Sequence, residues 1–487
     1  MKIIPLSNLS PVNAFKALED LERPFILHGG KIRGQSRYSY VSAEPSHTLT
    51  TDYDGTTLTE LLNKKQTHLS KNPFTAISEA LKIISSNSEP PDMQPFPFCS
   101  GGVGYLSFDL KNLMPEEYPK KTLGNNTATN PKFPLASFSF YKTIYVFDHL
   151  KDEGFLVSSE ATKKNTTFKK IEKALQDFKP LECSTETDIL LNIISIQSTL
   201  PEQEYISTVT KALEYIRSGD IYQINISTKF TIKVDLSPFS LFKKIIKDAP
   251  SRFQTFIDCG TFQIISNSPE RLLSVTGNRV LTEPIKGTRA RGRTTLEDDA
   301  LRTELSESKK EQAEHLMVVD LERNDLGRVC VAGSIKVEGF KRIETYPRLH
   351  HMVSSISGHL RKNLNLKDAL QATFPGGSIT GTPKVRSIEI IEELENAERG
   401  IYTGGLGFID LSGNGDFSMA IRTAVYSKGE LTLSVGSGIV ADSDPRKEYE
   451  ETLLKAEDFF KALGLNYNKY ITTATKKKEK RKKKASK

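Results

Sequence analysis

Residues 263–282 read QIISNSPERLLSVTGNRVLT, and this stretch decides the fold class. It contains three short apolar runs, at 263–266, 272–275 and 279–282, separated by turn-forming residues. Runs of this length, bounded by Gly, Pro, Asn and Ser, are typical of β-strands that follow one another in hairpins. Because helical segments alternate with such strands further along the chain, the pattern predicts an α+β fold rather than a doubly wound parallel sheet.

Two predicted helices on the C-terminal side of this stretch each carry a pair of glutamates three residues apart. One helix covers residues 307–321, and the other begins after an N-cap at Asp444. This spacing places each pair on one helical face. If the two faces meet, the four carboxylates repel one another, and a hard cation such as Mg²⁺ would relieve the repulsion. The alternative is two solvated helix faces. The glutamates are Glu311 and Glu314 on the first helix and Glu448 and Glu451 on the second.

Lys286 lies in the sequence PIKGTR (284–289), directly after the last strand-like run. It stands between an apolar residue and a glycine, close to several arginines. Neighbouring cations and partial burial both favour the neutral, nucleophilic form of an amine, so Lys286 is a candidate nucleophile. The same residues fit a lysine that steers an anionic substrate or a charge at the end of a strand. The local sequence leaves these interpretations open.

Three glycine-rich runs follow, at 374–384 (FPGGSITGTPK), 404–407 (GGLG) and 436–438 (GSG). Glycines allow backbone N–H groups to approach anionic oxygens, but they also form tight turns, and both interpretations stay open. No run ends in G-K-[ST], so a phosphate-binding loop is not indicated. His351 fits a catalytic residue and a packed core histidine equally well.

The positive charge of the chain is concentrated at its C-terminal end. The 487 residues carry a net charge of +7, but residues 476–487 (KKKEKRKKKASK) hold nine basic residues and one acid. The remainder is close to neutral, so no basic nucleic-acid-binding face is indicated. The lysine-rich segment would bind polyanions non-specifically. A polyanion-binding protein is therefore an alternative of another class.

Cysteine spacing and hydropathy indicate the compartment. The four cysteines show no CxxC spacing, which favours reduced thiols over a disulfide framework or a structural zinc site. No apolar run approaches the roughly 20 residues that span a bilayer. The N-terminus lacks the apolar core of a signal peptide. We therefore expect a cytoplasmic protein with no membrane association.

Composition divides the chain into four regions. Residues 1–150 alternate β-rich runs with turns and include a stretch of helical periodicity at 57–85. Residues 151–200 are polar and lysine-rich and are expected to form a linker region. Residues 201–466 alternate strands and helices and are expected to form the catalytic domain, and residues 467–487 are expected to be a disordered basic tail.

Six stretches, taken together and in order, resemble the chorismate-utilising enzymes, a family that includes anthranilate, aminodeoxychorismate, isochorismate and salicylate synthases. Residues 101–105 (GGVGY) add to the resemblance in the N-terminal half. The resemblance implies two packed, mainly antiparallel β-sheets flanked by helices, with the N-terminal region part of the same β-rich complex. The six stretches are GDIYQINIS (219–227), SPE (268–270), PIKGTRARG (284–292), EHLMVVDLERNDLGR (314–328), FPGGSITGTPKVR (374–386) and DPRKEYEET (444–452).

The resemblance also implies the roles of individual residues. Chorismate would bind through Mg²⁺, held directly by Glu314 and Glu451 and through water by the other two helix glutamates. Lys286 would attack C2 of chorismate, and Glu270 would protonate the departing C4 hydroxyl as a general acid. The remaining implied site residues are His351 as a catalytic residue and Thr288, Tyr402, Arg422, Gly436 and Gly438 as substrate-binding residues.

Within the family, a few positions favour the aminodeoxychorismate synthase branch. Gln223 stands where the isochorismate and salicylate synthases carry a water-activating lysine. Anthranilate synthases typically have a small residue in place of Lys286 and Ala-Gly in place of Gly376 and Gly377. The resemblance therefore implies amination of chorismate to 4-amino-4-deoxychorismate, for p-aminobenzoate and folate synthesis. Anthranilate synthase is the alternative. No cysteine lies in a G-x-C-x-G context, so a separate glutamine amidotransferase subunit is the expected source of ammonia.

Overall fold

The computed structural model describes residues 1–6, 9–30, 36–86, 94–118, 132–159, 166–179, 192–395 and 397–465, and the predicted basic tail at 467–487 lies outside them. In chain order, the strands are β1 Lys2–Leu6, β2 Phe25–His28, β3 Tyr38–Ser42, β4 His47–Asp52, β5 Gly55–Glu60, β6 Lys65–His68, β7 Gly101–Leu106, β8 Ala136–Tyr141, β9 Thr143–Asp148, β10 Glu153–Ser158, β11 Asn192–Ser198, β12 Gln223–Asp235, β13 Phe253–Asp258, β14 Gln263–Ser268, β15 Arg271–Thr276, β16 Arg279–Glu283, β17 Ile285–Ala290, β18 Lys336–Thr345, β19 Leu349–His359, β20 Gly381–Thr382, β21 Gly405–Asp410, β22 Gly415–Met419, β23 Thr423–Ser427 and β24 Glu430–Ile439.

The helices complete the description of the chain. They are α1 Pro11–Leu18, α2 Pro73–Ser85, α3 Thr166–Asp177, α4 Glu202–Arg217, α5 Pro238–Asp248, α6 Thr295–Glu307, α7 Lys309–Gly327, α8 Leu366–Thr373, α9 Lys384–Leu394, α10 Pro445–Lys455 and α11 Glu457–Ala462, with short 3₁₀ helices at Phe108–Leu113 and Gly377–Ile379.

The strands form two large antiparallel sheets, which confirms the predicted fold class. The first sheet has the order β1-β10-β9-β3-β2-β13-β14-β23-β24-β12-β11, with β20 paired to β12. The second has the order β17-β19-β16-β15-β22-β21-β7-β8-β4-β5-β6, with β18 paired to β19. The predicted hairpins of residues 263–282 correspond to β14, β15 and β16, and β15 and β16 pair directly.

Both sheets contain strands from residues 1–150 and from residues 201–466. A buried cluster that includes Tyr40 and Val146 of the first sheet and Val103 and Leu406 of the second joins the two sheets. Burial of this apolar area provides the main stabilisation between the layers. The N-terminal strands are therefore part of the same layers as the strands that carry most of the predicted site.

The range 151–200, which was expected to be a linker, contains β10, α3 and β11 in its described part. Phe168, Ile171 and Leu175 lie at helical spacing on α3, and all three are buried in the hydrophobic core. Three large apolar residues on one face are enough to pack a helix whose other positions are mostly polar or charged. The polar average composition of residues 151–200 therefore does not reveal the amphipathic helix α3 within them.

The helix predicted from the periodicity at 57–85 is absent from the first half of that range. The chain forms β5 and β6 there, and the helix begins only at Pro73. Asn72 accepts hydrogen bonds from the backbone N–H groups of Phe74 and Thr75 over 3.1 and 3.0 Å. This N-cap fixes the start of α2. The preceding threonines of β5 favour a strand because β-branched side chains pack well on a pleated surface.

Two helices are placed to carry the site. Helix α7 packs on β17 of the second sheet, and α10 packs on β24 of the first. Helix α7 begins at Lys309, after Ser308, whose hydroxyl accepts the N–H of Glu311. The predicted start of α10 is confirmed, since Asp444 caps the backbone N–H groups of Arg446 and Lys447. Among the described residues, no helix is long and apolar enough to cross a membrane.

Candidate active site

Lys286 lies on an irregular part of β17. The pairing of β17 with β19 shifts register between Ile285 and Thr288. Gly287, inside the shift, has a φ angle of +81°, a conformation that glycine adopts without strain. Such bulges change the direction of neighbouring side chains. A Cβ atom on Gly438 of β24 would lie 2.7 Å from Lys286 Nζ, so the amine reaches across to the opposite sheet.

Gln223 lies beside Lys286. The same hypothetical Cβ atom on Gly438 would be 3.4 Å from Gln223 Nε2. Gln223 is 1% exposed, and neither polar atom of its side chain has a hydrogen-bond partner in the described part of the chain. A buried amide without partners is costly in a folded protein. The space next to the Lys286 amine therefore has unused hydrogen-bonding capacity.

Glu270 faces Lys286 from the turn between β14 and β15. Burial raises the pKa of the Glu270 carboxyl to about 7, against the opposing effects of the Ser378 hydroxyl, the Lys286 charge and the backbone N–H of Ile285. A carboxyl group with this pKa holds a proton at slightly acidic pH and releases it near neutrality. These are the properties that a general acid requires.

The four predicted glutamates, on α7 and α10, influence one another electrostatically. Burial raises the pKa of Glu314, and the charges of Glu311 and Glu448 raise it further, so the two helices act on each other electrostatically. Burial also raises the pKa of Glu448, and the charge of Glu451 adds to that effect. The Lys455 ammonium, with smaller contributions from Lys286 and Lys310, lowers the pKa of Glu451.

Each of the four glutamates has a partner within the chain. Glu311 pairs with Arg289 over 3.0 Å, Glu451 pairs with Lys455 over 2.9 Å, Glu314 lies 3.8 Å from Lys310, and Ser443 donates to Glu448 over 2.7 Å. In the described ranges, no group of three or more His, Cys, Asp or Glu side chains is arranged to hold a metal ion. The donor set nevertheless fits Mg²⁺, because all donors are carboxylate oxygens. Burial, and to a smaller extent the neighbouring carboxylates, raise the pKa values of Glu314 and Glu448, and a bound cation would offset both effects.

A second side of the candidate site consists of Thr288, His351 and Arg422. The Thr288 hydroxyl and His351 Nδ1 lie 2.8 Å apart in a hydrogen bond between β17 and β19. Burial, together with the charge of Arg422, lowers the pKa of His351 to about 3. His351 is therefore neutral around pH 7. Arg422 has a φ angle of +48° between β22 and β23, and burial lowers its pKa.

Tyr402 and Gly436 are the remaining predicted site residues. Burial raises the pKa of Tyr402 to about 12, while the Asn225 side chain and the Arg399 charge oppose the shift. Gly436 lies opposite Ser227 in the β24–β12 pair. A Cβ atom on Gly436 would approach the Ile226 carbonyl oxygen to 2.5 Å, so the strands can come this close only at a glycine.

The arginines that were expected to surround Lys286 point elsewhere. Arg289 binds Glu304 and Glu311, and Arg291 binds Asp298 over 2.7 Å. Lys286 instead acts on the carboxyl groups of Glu270, Glu314 and Glu451. Sequence reasoning placed the cations near Lys286 because they are close along the chain. In an irregular strand, neighbouring side chains point in different directions.

Sequence reasoning missed two buried residues of the site, Glu322 and Ser378. Glu322 is 2% exposed and accepts the Gly377 N–H over 3.0 Å. Ser378 is 4% exposed, its hydroxyl has no hydrogen-bond partner among the described residues, and it lowers the pKa of the Glu270 carboxyl. One signal was available in the sequence, because Glu322 lies about two helical turns after Glu314 in the same motif.

Comparison with known proteins shows the family to which the chain belongs. Residues 32–461 match the family described as chorismate binding enzyme. The chain belongs to this family and is therefore an enzyme. Its predicted resemblance to the chorismate-utilising enzymes is confirmed.

Individual relatives from two branches are equally similar to the chain. Anthranilate synthase component 1 of Lactococcus lactis is 34% identical over 95% of this chain and 99% of its own length. Aminodeoxychorismate synthase component 1 of Bacillus subtilis is 34% identical over 96% of this chain and 97% of its own length. The crystal structure of anthranilate synthase component I from Streptococcus pneumoniae superposes with a TM-score of 0.73, at 29% identity, covering 87% of this chain and 92% of that chain.

Proposed function

We propose that the protein is component I of an aminodeoxychorismate synthase, which converts chorismate and ammonia into 4-amino-4-deoxychorismate. The observation that carries the proposal is the position of Lys286, whose amine reaches from β17 to Gly438 of β24. It faces the carboxyl groups of Glu270, Glu314 and Glu451. A lysine next to a proton donor is placed for addition to a ring whose departing hydroxyl that donor protonates.

The residues of the chain divide the chemistry between them. The Lys286 amine adds to C2 of chorismate, the ring double bonds shift, and the C4 hydroxyl leaves as water with the proton of Glu270. Ammonia then adds at C4, and the double bonds shift back as the C2–nitrogen bond to Lys286 breaks. Arg422 and Tyr402 hold the pyruvyl carboxylate, for which the fork of a guanidinium group is well suited. Thr288, His351, Gly436 and Gly438 line the ring.

Mg²⁺ is the proposed cofactor. Glu314 and Glu451 would hold it directly, and Glu311 and Glu448 would support it through water. When bound, the ion neutralises the ring carboxylate of chorismate. Glu451 would exchange its contact with Lys455 for the ion.

A glutamine amidotransferase subunit is the proposed partner. The relatives that match over most of the chain are named as component 1 of their enzymes, which supports a second component here. Cys99, Cys259 and Cys330 are buried free thiols. Burial raises the pKa values of all three, which is the opposite of what a nucleophilic thiol needs. We propose that ammonia is released from glutamine on the partner.

Anthranilate synthase is the second candidate, because relatives with that name are equally similar to the chain. Incubation of the purified chain with chorismate, Mg²⁺ and ammonium separates the two reactions. The proposal predicts a product that yields p-aminobenzoate only after a lyase is added. Direct release of anthranilate would establish the second candidate and reject the first.

A further inference from the structure

Asn225 of β12 is a buried polar residue that the proposed chemistry does not use. It is 7% exposed, and its side-chain Nδ2 has no hydrogen-bond partner in the described part of the chain. Its backbone is fully engaged, because the N–H donates to the Thr380 carbonyl over 2.8 Å and the carbonyl accepts from Arg399 over 2.7 Å. A buried donor without a partner is unfavourable for folding, so this amide is a candidate for a bond that forms only with a ligand.

The strand register places the Asn225 side chain beside Lys286. Asn225 lies directly opposite Gly438 in the β12–β24 pair. Because both backbone groups of Asn225 bond elsewhere, the two residues form a non-hydrogen-bonded pair, with Cα atoms about 4.5 Å apart and side chains on the same face. A Cβ atom on Gly438 would lie 2.7 Å from Lys286 Nζ. The Asn225 side chain therefore leaves its strand on the face that the Lys286 amine reaches.

The position of Gln223 supports this placement independently. Residues two apart on a strand point to the same face, so Gln223 and Asn225 share one. The hypothetical Cβ atom on Gly438 would lie 3.4 Å from Gln223 Nε2, which puts that face of β12 next to Lys286 by a measured distance. Strand β12 thus presents two buried amides with unpaired atoms to the space beside the amine.

Arg399 places Asn225 close to Tyr402. The Arg399 guanidinium donates to the Asn225 carbonyl and to both carboxylate oxygens of Glu395, over 2.9 and 2.8 Å. Its central carbon lies 6.0 Å from the centroid of the Tyr402 ring. Burial raises the pKa of Tyr402, and the Asn225 side chain is one of the groups that oppose this shift. Asn225 therefore lies near Lys286 and near a proposed ligand of the pyruvyl carboxylate.

The chemistry of chorismate indicates which of its groups Asn225 can reach. Its ring carries a carboxylate on C1, an enolpyruvyl ether on C3 and a hydroxyl on C4. The proposed chemistry assigns the C1 carboxylate to Mg²⁺ and the C4 hydroxyl to Glu270. Lys286 adds to C2, which is bonded to C3, so a donor near Lys286 and Tyr402 is within reach of the C3 substituent. An amide N–H bonds most strongly to the charged carboxylate of that substituent.

We propose that Asn225 is a substrate-binding residue that donates from Nδ2 to the side-chain carboxylate of chorismate, together with Arg422 and Tyr402. The residue then contributes to the discrimination of chorismate from ring acids that lack the enolpyruvyl group. The inference rests on the proposed function for the placement of that carboxylate. It does not depend on which product is formed, because both candidate reactions start from chorismate.

The test compares Asn225→Ala and Asn225→Leu with the wild type; leucine has nearly the size of asparagine and lacks the donor. Chorismate turnover gives the KM, and chorismate methylated on its side-chain carboxylate serves as a competitive inhibitor. We expect both variants to raise the KM for chorismate by about 10- to 100-fold, the usual effect of losing a hydrogen bond to a charged group, with a smaller change in kcat. The inhibition constant of the neutral ester should change less than about threefold, because neutral acceptors bond more weakly.

Asn414 provides a control amide whose hydrogen bonds are satisfied within the chain. Its Nδ2 donates to Asp410 over 2.8 Å, and its Oδ1 accepts from the Gly277 N–H over 2.7 Å. Asn414→Ala should lower Tm and leave the KM and the inhibition constant unchanged. Combining Asn225→Ala with Arg422→Lys should raise the KM by less than the product of the single effects, because both residues bind one carboxylate.

Several results would overturn the proposal. An unchanged KM in both Asn225 variants would mean that Nδ2 meets only water. Equal losses of affinity for chorismate and for the ester, or a loss confined to kcat, would give the residue another role. If only one variant folds, it decides alone, and failure of both to fold would show a structural role and also reject the proposal. Product identity is scored separately, so release of anthranilate rejects the proposed function and leaves this inference standing.

Discussion

The Glu270 carboxyl group is the residue whose environment most directly predicts a pH dependence. Its pKa is raised to about 7, mainly by burial. Below that pH it carries the proton that the leaving hydroxyl needs, and above it the proton is lost. We expect kcat/KM for chorismate to fall as pH rises through about 7, and Glu270→Gln to reduce kcat by about 100-fold or more. A pH–rate profile measures both effects.

His351 provides the control for this assignment. Its pKa is lowered to about 3 by burial and by the charge of Arg422, so it does not titrate near neutrality. His351→Asn should change the rate without moving the basic limb. If the basic limb shifted in His351→Asn and stayed in place in Glu270→Gln, the titration would belong to His351 and not to Glu270.

Gly376 is a position where one added methyl group has a calculable effect. A Cβ atom there would lie 2.4 Å from Met419 Cε and 3.1 Å from Leu272 Cδ1. We expect Gly376→Ala to lower the free energy of unfolding by about 1–3 kcal/mol, as for other overpacked cores. Denaturant titration measures the change. Combining it with Met419→Val should cost less than the sum of the two, because the shorter side chain leaves room.

The control for Gly376 is Gly327, the last residue of α7. A Cβ atom on Gly327 has only Ile335 Cδ1 as a neighbour, at 4.0 Å. Gly327→Ala should therefore be neutral or stabilise the protein by up to about 1 kcal/mol. If both alanine variants had the same stability, crowding at Gly376 would not be the cause.

At the scale of elements, the N-cap of α10 links helix stability to the glutamates. The Asp444 carboxylate accepts the N–H groups of Arg446 and Lys447 over 3.1 and 2.9 Å. Asp444→Ala should cost about 1 kcal/mol of folding free energy. Because α10 carries Glu448 and Glu451, the variant should also need more Mg²⁺ for half-maximal turnover. Thermal unfolding and a Mg²⁺ titration of the rate measure the two effects.

Helix α5 offers a matched cap away from the site. Ser237 caps it by accepting the Ser240 N–H over 3.3 Å, and Pro238 follows the cap as Pro445 does in α10. Ser237→Ala should cost a similar amount of stability with an unchanged Mg²⁺ requirement. If both variants showed the same change in Mg²⁺ requirement, the cause would be a general loss of stability and not the position of α10.

Local chemistry made some of these elements predictable. The Asp444-Pro445 pair gave the start of α10, and the turn residues of 263–282 gave the hairpin of β15 and β16. The register shift at Gly287 and the buried contact of Glu322 depend on strands and helices distant in sequence, so no local pattern predicts them. The helical pattern at 57–85 failed because short β-strands and a helix share its apolar residues.

At the scale of the molecule, the site lies where the two sheets face each other. Lys286 comes from the second sheet, while Gln223 and Gly438 come from the first. The motifs that resembled the family are far apart in sequence and adjacent in the fold. Their convergence requires both sheets, and each sheet includes strands from residues 1–150.

The basic segment at 476–487 lies outside the described residues, and its predicted role is separable from the site. Removing it should abolish non-specific binding to polyanions, which is expected to weaken steeply with salt. Turnover of chorismate should remain at the wild-type rate. Heparin binding at several salt concentrations and the rate with ammonium measure the two properties. Loss of turnover in the truncated chain would show that the segment contributes to catalysis.

The most direct test of the account is product analysis of Lys286→Ala with chorismate, Mg²⁺ and saturating ammonium. Lys286→Arg serves as the control that keeps the positive charge but removes the nucleophilic amine. The account predicts that both variants fold and bind chorismate but form no 4-amino-4-deoxychorismate. Wild-type turnover in Lys286→Ala, or in the arginine variant, would contradict the covalent role of Lys286.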